Sequence, residues 1–268
     1  MRALRRPRAR ATALAVTGVA LILGGWQIVA VTAFTRANGS FGAIPPPGEV
    51  ARRAVQDLAD PGYWSGLSAT ASSALIGYAI AALAALILGV VVMLLPWLDD
   101  VVNNIGVIAA CAPVAAISPI VVLLSPTGSR AVSITLAVLA VEFPMIVGVL
   151  LGLRAATSSQ VDLVYAYGGS EWTAIRTVRI IAAVPSVIAA LKIGAPAAFL
   201  GAMTGEFFAV GVDTGVGRLL LSQQYVGDYV GMWAIALLAT LVSALGYAGV
   251  ALVARLSAPW TSMTGGRR

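Results

Sequence analysis

The chain has 268 residues, of which 59% are hydrophobic and only 10% are charged, with a formal net charge of +6. An ordinary soluble domain carries about 25% charged residues, so this composition excludes a water-soluble enzyme and also a disordered chain. The apolar stretches are long and continuous, which argues against a transmembrane β-barrel and predicts an all-α polytopic membrane protein.

Six stretches are apolar over the length of about 20 residues that a helix needs to cross a bilayer. We expect a break in the third stretch, because Pro113, Pro119 and Pro126 fall within it. An even number of crossings places both termini on one side of the membrane. The predicted spans are Ala11–Thr35, Pro61–Leu98, Val101–Ser129, Ala131–Leu153, Ile180–Val210 and Tyr229–Ala254.

The arginines set the orientation, because basic side chains are enriched in cytoplasmic segments. With the N-terminus in the cytoplasm, eleven arginines lie on the inner side and five on the outer side. The sequence therefore predicts two cytoplasmic termini. Arg5-Arg6 before an apolar run also fits a secretion signal, whose cleavage would leave five spans. We favour an uncleaved first helix because the run is longer than the apolar core of a typical signal.

Several kinds of chemistry are excluded by the residue inventory. The chain has no histidine, and its single cysteine, Cys111, lies in an apolar run, which excludes catalytic triads, histidine zinc sites and cysteine clusters. The single lysine, Lys192, follows Leu191, whereas the lysine of a phosphate-binding P-loop follows glycine. The arginines flank apolar segments without interleaved aromatic residues, so no nucleic-acid partner is expected.

Two segments are predicted on the outer side of the membrane. Pro45-Pro46-Pro47 and the amphipathic pattern of Gly48–Leu58 predict a connector that contains a short surface helix. Asp213–Gly217 predicts a glycine-rich loop between the last two spans, either a plain loop or a re-entrant or periplasmic turn.

The longest inner segment between two spans, Arg154–Val184, carries helix signals. Ser159 and Asp162 fit a capping box, which predicts that a helix starts there. Gly168-Gly169 predicts the end of this helix, since glycine accepts the left-handed backbone of a C-terminal cap. The first part of the segment is therefore predicted to be a short helix with a glycine turn.

The same segment has an apolar face and a second helix. Val161, Val164 and Tyr165 recur at helical spacing, so we expect them to form one apolar face. Ser170 can cap a second helix, which we expect to end at Pro185, where the next span begins. These patterns fit either two helices lying on the bilayer or a lever that docks a cytoplasmic partner.

Three charged residues fall within predicted spans, where a charge is unfavourable by several kcal/mol and is usually buried against protein or water. Lys192 and Glu206 are roughly 21 Å apart along one helix and cannot pair directly. Lys192 is either a contact for an anion or inner gate, or a snorkelling or interhelical partner. Glu206 fits a helix-end cap or an outer gate, and Glu142 fits a partner for backbone freed by Pro144.

The segment after the fourth span resembles the EAA loop of bacterial ABC importer permeases. Asp162-Leu163-Val164 stands where EAA is expected, and Gly168 stands at the glycine of that motif. Val178–Ile180 follows at the expected distance, but Ile181 replaces the first proline; Pro185 matches a second one. The similarity covers residues 44–256 and is greatest to the nitrate/sulfonate/taurine-type permeases, on Pro45–Pro47, Pro113, Pro119, Gly152–Arg154, Leu191–Ile193, Glu206 and Gly215–Gly217.

The resemblance implies a type I ABC importer permease in a bacterial plasma membrane. Two such permeases, expected to be a homodimer, form the pathway with two ATPase subunits and an extracytoplasmic substrate-binding protein. This chain itself binds no cofactor, and the partner ATPase binds ATP and Mg. The implied regions are an N-terminus with the first helix (1–36), a connector (37–66), a permease core (67–256) with a coupling segment (155–184), and a tail (257–268).

The resemblance also implies site residues and a substrate class. Lys192 and Glu206 are candidates for the pathway or a gate, and the substrate is expected to be a small anion such as a sulfonate, taurine or nitrate. The alternative substrates are a pyrimidine, thiamine or riboflavin precursor. The alternative class is an ATP-independent secondary transporter or channel, which three scattered charges support poorly. The residues implied in ATPase coupling are Asp162, Leu163, Val164, Tyr165, Gly168, Gly169 and Pro185.

Overall fold

A computed structural model describes residues 6–35, 41–95, 97–102, 104 and 114–257. The predictions for Cys111, Pro113 and the tail after Ser257 concern residues outside these ranges. The helices are α1 (Arg6–Ala33), α2 (Pro47–Asp57), α3 (Pro61–Leu94), α4 (Val114–Leu124), α5 (Ala131–Leu153), α6 (Ser158–Ala166), α7 (Glu171–Ala174), α8 (Ile180–Phe208), α9 (Val216–Val226) and α10 (Tyr229–Ser257). A π-helical turn, Ile175–Arg179, joins α7 to α8.

Five helices of the described residues are long and apolar enough, by length and composition, to cross a membrane. They correspond to five of the six predicted spans, with ends that differ by up to nine residues, and they confirm an all-α polytopic architecture. These helices are Arg10–Ala33, Pro61–Leu94, Ala131–Leu153, Glu171–Phe208 and Tyr229–Leu256.

The described residues group into two units, Met1–Trp64 with Leu219–Leu238, and Ser65–Arg218 with Ala239–Arg268. In the first unit α2 begins with Pro47 at its N-terminal turn, as the amphipathic pattern predicted. The indole N–H of Trp26 donates to the Pro45 carbonyl at 2.9 Å, and that of Trp233 donates to the Ala43 carbonyl at 2.9 Å. The predicted borders at residues 36, 66 and 256 stay a prediction.

The second unit is organised by the antiparallel pair α5 and α8. Small residues let the two backbones approach closely, as is typical of helix pairs in membranes. A Cβ added at Gly201 would lie 2.6 Å from the Leu136 carbonyl oxygen, and one added at Gly148 would lie 2.4 Å from the Cβ of Ala190. Gly205 packs against Ser133 and Gly152 packs against Ala183, so the antiparallel pairing of α5 and α8 continues toward both ends of the two helices.

Helix α3 runs parallel to α5. Gly77 packs against Ala137 and Gly89 packs against Val149, so equal steps along both helices keep them in contact. The C-terminal end of α3 therefore lies beside the C-terminal end of α5, far from the start of α5.

Two contacts locate the described residues on either side of the third predicted span. Asp99 pairs with Arg154 just after α5, whereas Val121 packs against a cluster that includes Val132 near the start of α5. Asp99 and Val121 therefore lie near opposite ends of α5, whose 23 residues extend about 34 Å. The predicted third span is described only in part, and α4 with its 11 residues is too short by itself to cross a bilayer.

The prediction that Pro185 ends the helix before the next span is wrong, because Pro185 lies inside α8. Pro119 likewise lies inside α4, so the break expected in the third stretch does not fall at this proline, although α4 ends at Leu124, two residues before Pro126. The helical path from α7 continues through the π-helical turn into α8. A proline removes only one backbone donor, and the packing of α8 against α5 compensates for that loss.

Candidate functional site

The predicted coupling segment folds as a short helix, a glycine turn and a second helix. Helix α6 ends at Ala166, and Gly168 has the positive φ of 78° that glycine adopts without steric penalty. The N–H of Gly169 donates to the Val164 carbonyl at 2.9 Å, which satisfies one of the free carbonyls at the helix end. The predicted glycine cap is confirmed.

The start of α6 differs from the prediction. Thr157, with extended backbone angles of φ −70° and ψ 149°, is the residue before the first helical turn. The Gln160 side-chain oxygen accepts the N–H of Thr157 at 3.1 Å, as in a capping box. The predicted cap by Ser159 and Asp162 is wrong because Thr157 occupies the N-cap position and Ser159 already lies in the first turn of the helix.

The apolar residues of α6 divide between two sides of the helix. Val161 is buried and Val164 is half-buried, whereas Leu163 is 58% exposed and Tyr167 is 86% exposed. The expected docking face of Val161, Val164 and Tyr165 therefore faces partly inward. The exposed apolar surface of the segment is formed by Leu163, Tyr165 and Tyr167; sequence reasoning omitted Tyr167.

The glycine turn is held closed by a network around Glu171. Its carboxylate accepts a hydrogen bond from the Tyr165 hydroxyl and pairs with the Arg179 guanidinium at 3.2 Å. The hydrogen bond to Glu171 raises the pKa of the Tyr165 phenol, and burial and the negative charge add to this effect. Arg179 also lies 3.8 Å from the Met93 sulfur at the end of α3. The network therefore links α6, the π-helical turn and α3.

Sequence reasoning did not identify Glu171 and Arg179 as site residues. A recognisable signal was present, because Glu171 follows the helix cap Ser170 and an acidic residue is favoured in a first turn. Ser170 itself accepts the N–H of Thr173, so the prediction of this cap is confirmed.

Lys192 lies on a separate part of α8 from the coupling segment. Within the described residues it makes no hydrogen bond or ion pair, and it lines an open depression of about 310 Å³. Pro185 lies in the same depression, so the structure brings these two predicted site residues together. Pro185, Ile188, Ala189, Lys192, Ile193 and Tyr247 form the lining.

Glu206 lies near the C-terminal end of α8, whereas the coupling segment leads into its N-terminal end, and the Glu206 side chain is fully buried. Thr70 donates to its carboxylate at 2.7 Å, and the N–H of Gly217 donates at 2.8 Å. Glu206 is therefore not brought together with Lys192 or with the coupling segment. Glu142 is half-buried and makes no hydrogen bond to the described residues, so its predicted role beside Pro144 is not borne out there.

Residues 77–262 match the family described as the binding-protein-dependent transport system inner membrane component. Because the match covers more than half of the chain, the protein belongs to this family of ABC importer permeases. Membership implies a multi-pass membrane protein whose transport system includes a substrate-binding protein and an ATPase.

Three curated relatives extend this assignment. The chain is 26% identical to the formylaminopyrimidine transport permease protein ThiX of Halalkalibacterium halodurans, over 88% of this chain and 90% of the relative. It is 27% identical to the riboflavin transport system permease protein RibX of Chloroflexus aurantiacus, over 80% and 78%. It is 30% identical to a probable ABC transporter permease protein of Haemophilus influenzae, over 78% and 80%. The expected family is confirmed, whereas none of these names indicates the nitrate/sulfonate/taurine branch.

Proposed function

We propose that this chain is the pathway-forming permease of an ATP-driven importer in a bacterial plasma membrane. It works as a homodimer with two ATPase subunits, which bind ATP and Mg, and with an extracytoplasmic substrate-binding protein. Both termini lie in the cytoplasm, on the side of the coupling segment. Family membership supports these kinds of partner, and the excess of arginine in the predicted inner segments supports the orientation.

The exposed apolar surface of the coupling segment carries this proposal. Leu163 and Tyr167 are exposed although they follow a buried anchor, Val161, in the same short segment. Exposed apolar residues on an ordered, polar-flanked segment are typical of an interaction surface. The network around Glu171 ties this surface to the π-helical turn that leads directly into α8, so a partner that displaces the surface also acts on that helix.

A matched pair of variants tests the coupling role. Tyr167 and Tyr225 are both tyrosines and are 86% and 84% exposed, but only Tyr167 lies on the coupling segment. Loss of a tyrosine from the centre of an interface typically weakens binding by about tenfold or more. We expect Tyr167→Ala to reduce co-purification with the ATPase and to reduce ATP-dependent uptake, and Tyr225→Ala to leave co-purification unchanged.

Two results would contradict this role. One is full co-purification and full uptake by a double variant, Leu163→Asp with Tyr167→Ala, whose amount in the membrane equals that of the parent. The other is uptake by the parent without any ATPase subunit, which would favour a secondary transporter or channel.

For the substrate, we propose a small nitrogen heterocycle of the pyrimidine or flavin class. The relatives named for formylaminopyrimidine and riboflavin support this alternative over a small anion. The charge of Lys192 instead favours an anion such as a sulfonate, taurine or nitrate, because this charge has no partner in the described part of the chain.

Uptake measured with the cognate binding protein separates the two substrate classes. We expect unlabelled formylaminopyrimidine or riboflavin to compete with the transported substrate, and Lys192→Met to retain most of the uptake rate. Competition by taurine or nitrate alone, together with loss of uptake in Lys192→Met and its recovery in Lys192→Arg, would establish the anion instead.

A further inference from the structure

We propose that Glu206 is a positioning residue for transport. Its buried carboxylate holds the first turn of α9 against α3 and α8, and it does not contact the substrate. This inference rests on the proposed function for its link to transport, but the contact itself is a property of this chain.

The hydrogen bonds around Glu206 join three helices. The N–H of Val216 donates to the Thr70 hydroxyl oxygen at 2.8 Å, and the Thr70 hydroxyl donates to Glu206 at 2.7 Å. The N–H of Gly217 donates to the second carboxylate oxygen at 2.8 Å. Two of the free amides at the start of α9 are thus satisfied, one directly and one through Thr70.

The glycines of the Gly215-Val216-Gly217 sequence permit this close approach. A Cβ added at Gly215 would lie 2.3 Å from the carboxylate carbon of Glu206. A Cβ added at Gly217 would lie 2.5 Å from the Met203 carbonyl oxygen. The two glycines are therefore explained by the close approach of this turn to Glu206 and to the Met203 backbone of α8.

Neighbouring contacts fix the loop before α9 at the same place. The Arg130 guanidinium donates to the Thr214 hydroxyl at 2.8 Å, and the N–H of Gly128 donates to the Val210 carbonyl at 2.9 Å. Glu206 is fully buried beneath this loop, which leaves no route for substrate to reach its carboxylate in this conformation.

A carboxylate suits a contact that must open and close in each transport cycle. Exposing an apolar contact to water is unfavourable, whereas a carboxylate that is released from its protein donors gains hydrogen bonds from water in their place. When the contact is closed, two protein donors, the Thr70 hydroxyl and the Gly217 N–H, replace that water at the carboxylate. The closed and open states can therefore differ little in free energy, although each is well defined.

Conservative substitutions distinguish positioning from substrate contact. In Glu206→Gln the amide oxygen can accept from Gly217 and the amide nitrogen can donate to Thr70, whose hydroxyl can turn to the Gly66 carbonyl at 3.1 Å. Thr70→Ser likewise keeps its hydroxyl. Glu206→Ala and Thr70→Val leave buried polar groups unpaired, a loss that corresponds to roughly tenfold or more in an equilibrium.

The experiment combines uptake with a label that needs no transport. Cys111→Ser removes the single cysteine, and Val216→Cys then places a thiol at a fully buried position beside the contact. Labelling by a membrane-impermeant maleimide reports how often the start of α9 opens. Uptake is measured in parallel in the complete complex, as maximal rate and half-saturating substrate concentration, and Cys111→Ser with Val216→Cys is the parent for both measurements.

We expect Glu206→Ala and Thr70→Val to label roughly tenfold faster and to lose about tenfold in maximal rate, with the half-saturating concentration unchanged. Glu206→Gln and Thr70→Ser should resemble the parent in both measurements. Loss of uptake in Glu206→Gln with the labelling of the parent would overturn the proposal, because the charge itself would then be needed. Labelling and uptake equal to those of the parent in Glu206→Ala would also overturn it.

Two further outcomes are separable. If Glu206→Ala and Thr70→Val do not accumulate in the membrane, Glu206→Gln and Thr70→Ser decide, since positioning predicts that both retain uptake and a need for the charge predicts that Glu206→Gln loses it. If the parent transports without an ATPase, the proposed function fails, but the labelling rates still decide whether Glu206 holds the start of α9.

Discussion

Replacing Gly201 by alanine tests the close packing of α5 and α8. The added Cβ would lie 2.6 Å from the Leu136 carbonyl oxygen, 2.8 Å from the Cβ of Ala140 and 2.9 Å from the Cα of Ala137. None of these atoms is the end of a flexible side chain, so the two helices have to separate by about 0.8 Å to restore ordinary contact at 3.4 Å. Such overpacking typically destabilises a protein by about 1–3 kcal/mol.

Gly249→Ala is the matched control, because this glycine lies in α10 and a Cβ there would meet no atom within 4 Å. Both substitutions gain the same helix propensity, about 1 kcal/mol, so the difference between the two variants isolates the packing strain. Thermal unfolding in detergent should therefore place the midpoint of Gly201→Ala roughly 2–12 °C below that of Gly249→Ala. Equal midpoints would refute the close approach of α5 and α8.

Two further predictions concern the coupling segment. Gly168→Ala places a side chain at a φ of 78°, which is unfavourable by about 1–2 kcal/mol, so amide exchange in α6 should accelerate roughly 5–30-fold. Gly168→Asn should show a smaller acceleration, and identical exchange in the alanine variant would contradict the left-handed turn. The raised pKa of Tyr165 means that its contribution to stability is present below about pH 10 and is lost as pH rises through the folded pKa. An ultraviolet titration, from which that of Tyr165→Phe is subtracted, should find this phenol ionising above pH 10. Glu171→Gln should shift the ionisation to lower pH. A midpoint at or below pH 10 in the parent would contradict the hydrogen bond to Glu171.

The helices and the glycine turn were predictable because their signals are local. Apolar runs of sufficient length predicted the spans, and Gly168-Gly169 predicted the end of α6 without knowledge of any distant residue. The errors occurred where two local signals competed. Thr157 occupies the N-cap position that the pattern predicted for Ser159. Pro185 lies within a helix because packing compensates for its missing backbone donor.

The site depends on contacts that no local pattern contains. Thr70 and Glu206 are 136 residues apart, and their hydrogen bond exists because α3 and α8 meet at the same end of the second unit. The division of α6 into a buried side at Val161 and an exposed side at Leu163 was likewise unpredictable, since its residues are apolar on both.

The sequence by itself determined that the chain is a helical membrane protein without catalytic or nucleotide-binding motifs, and it located the segment that resembles a coupling loop. These conclusions follow from composition and from short-range spacing, which water, lipid and backbone geometry constrain directly. Only the tertiary structure decided which charged residues are buried, which are exposed and what each one contacts. Burial and hydrogen bonding of a side chain depend on helices that are distant in sequence and adjacent in space, and this adjacency is set by packing.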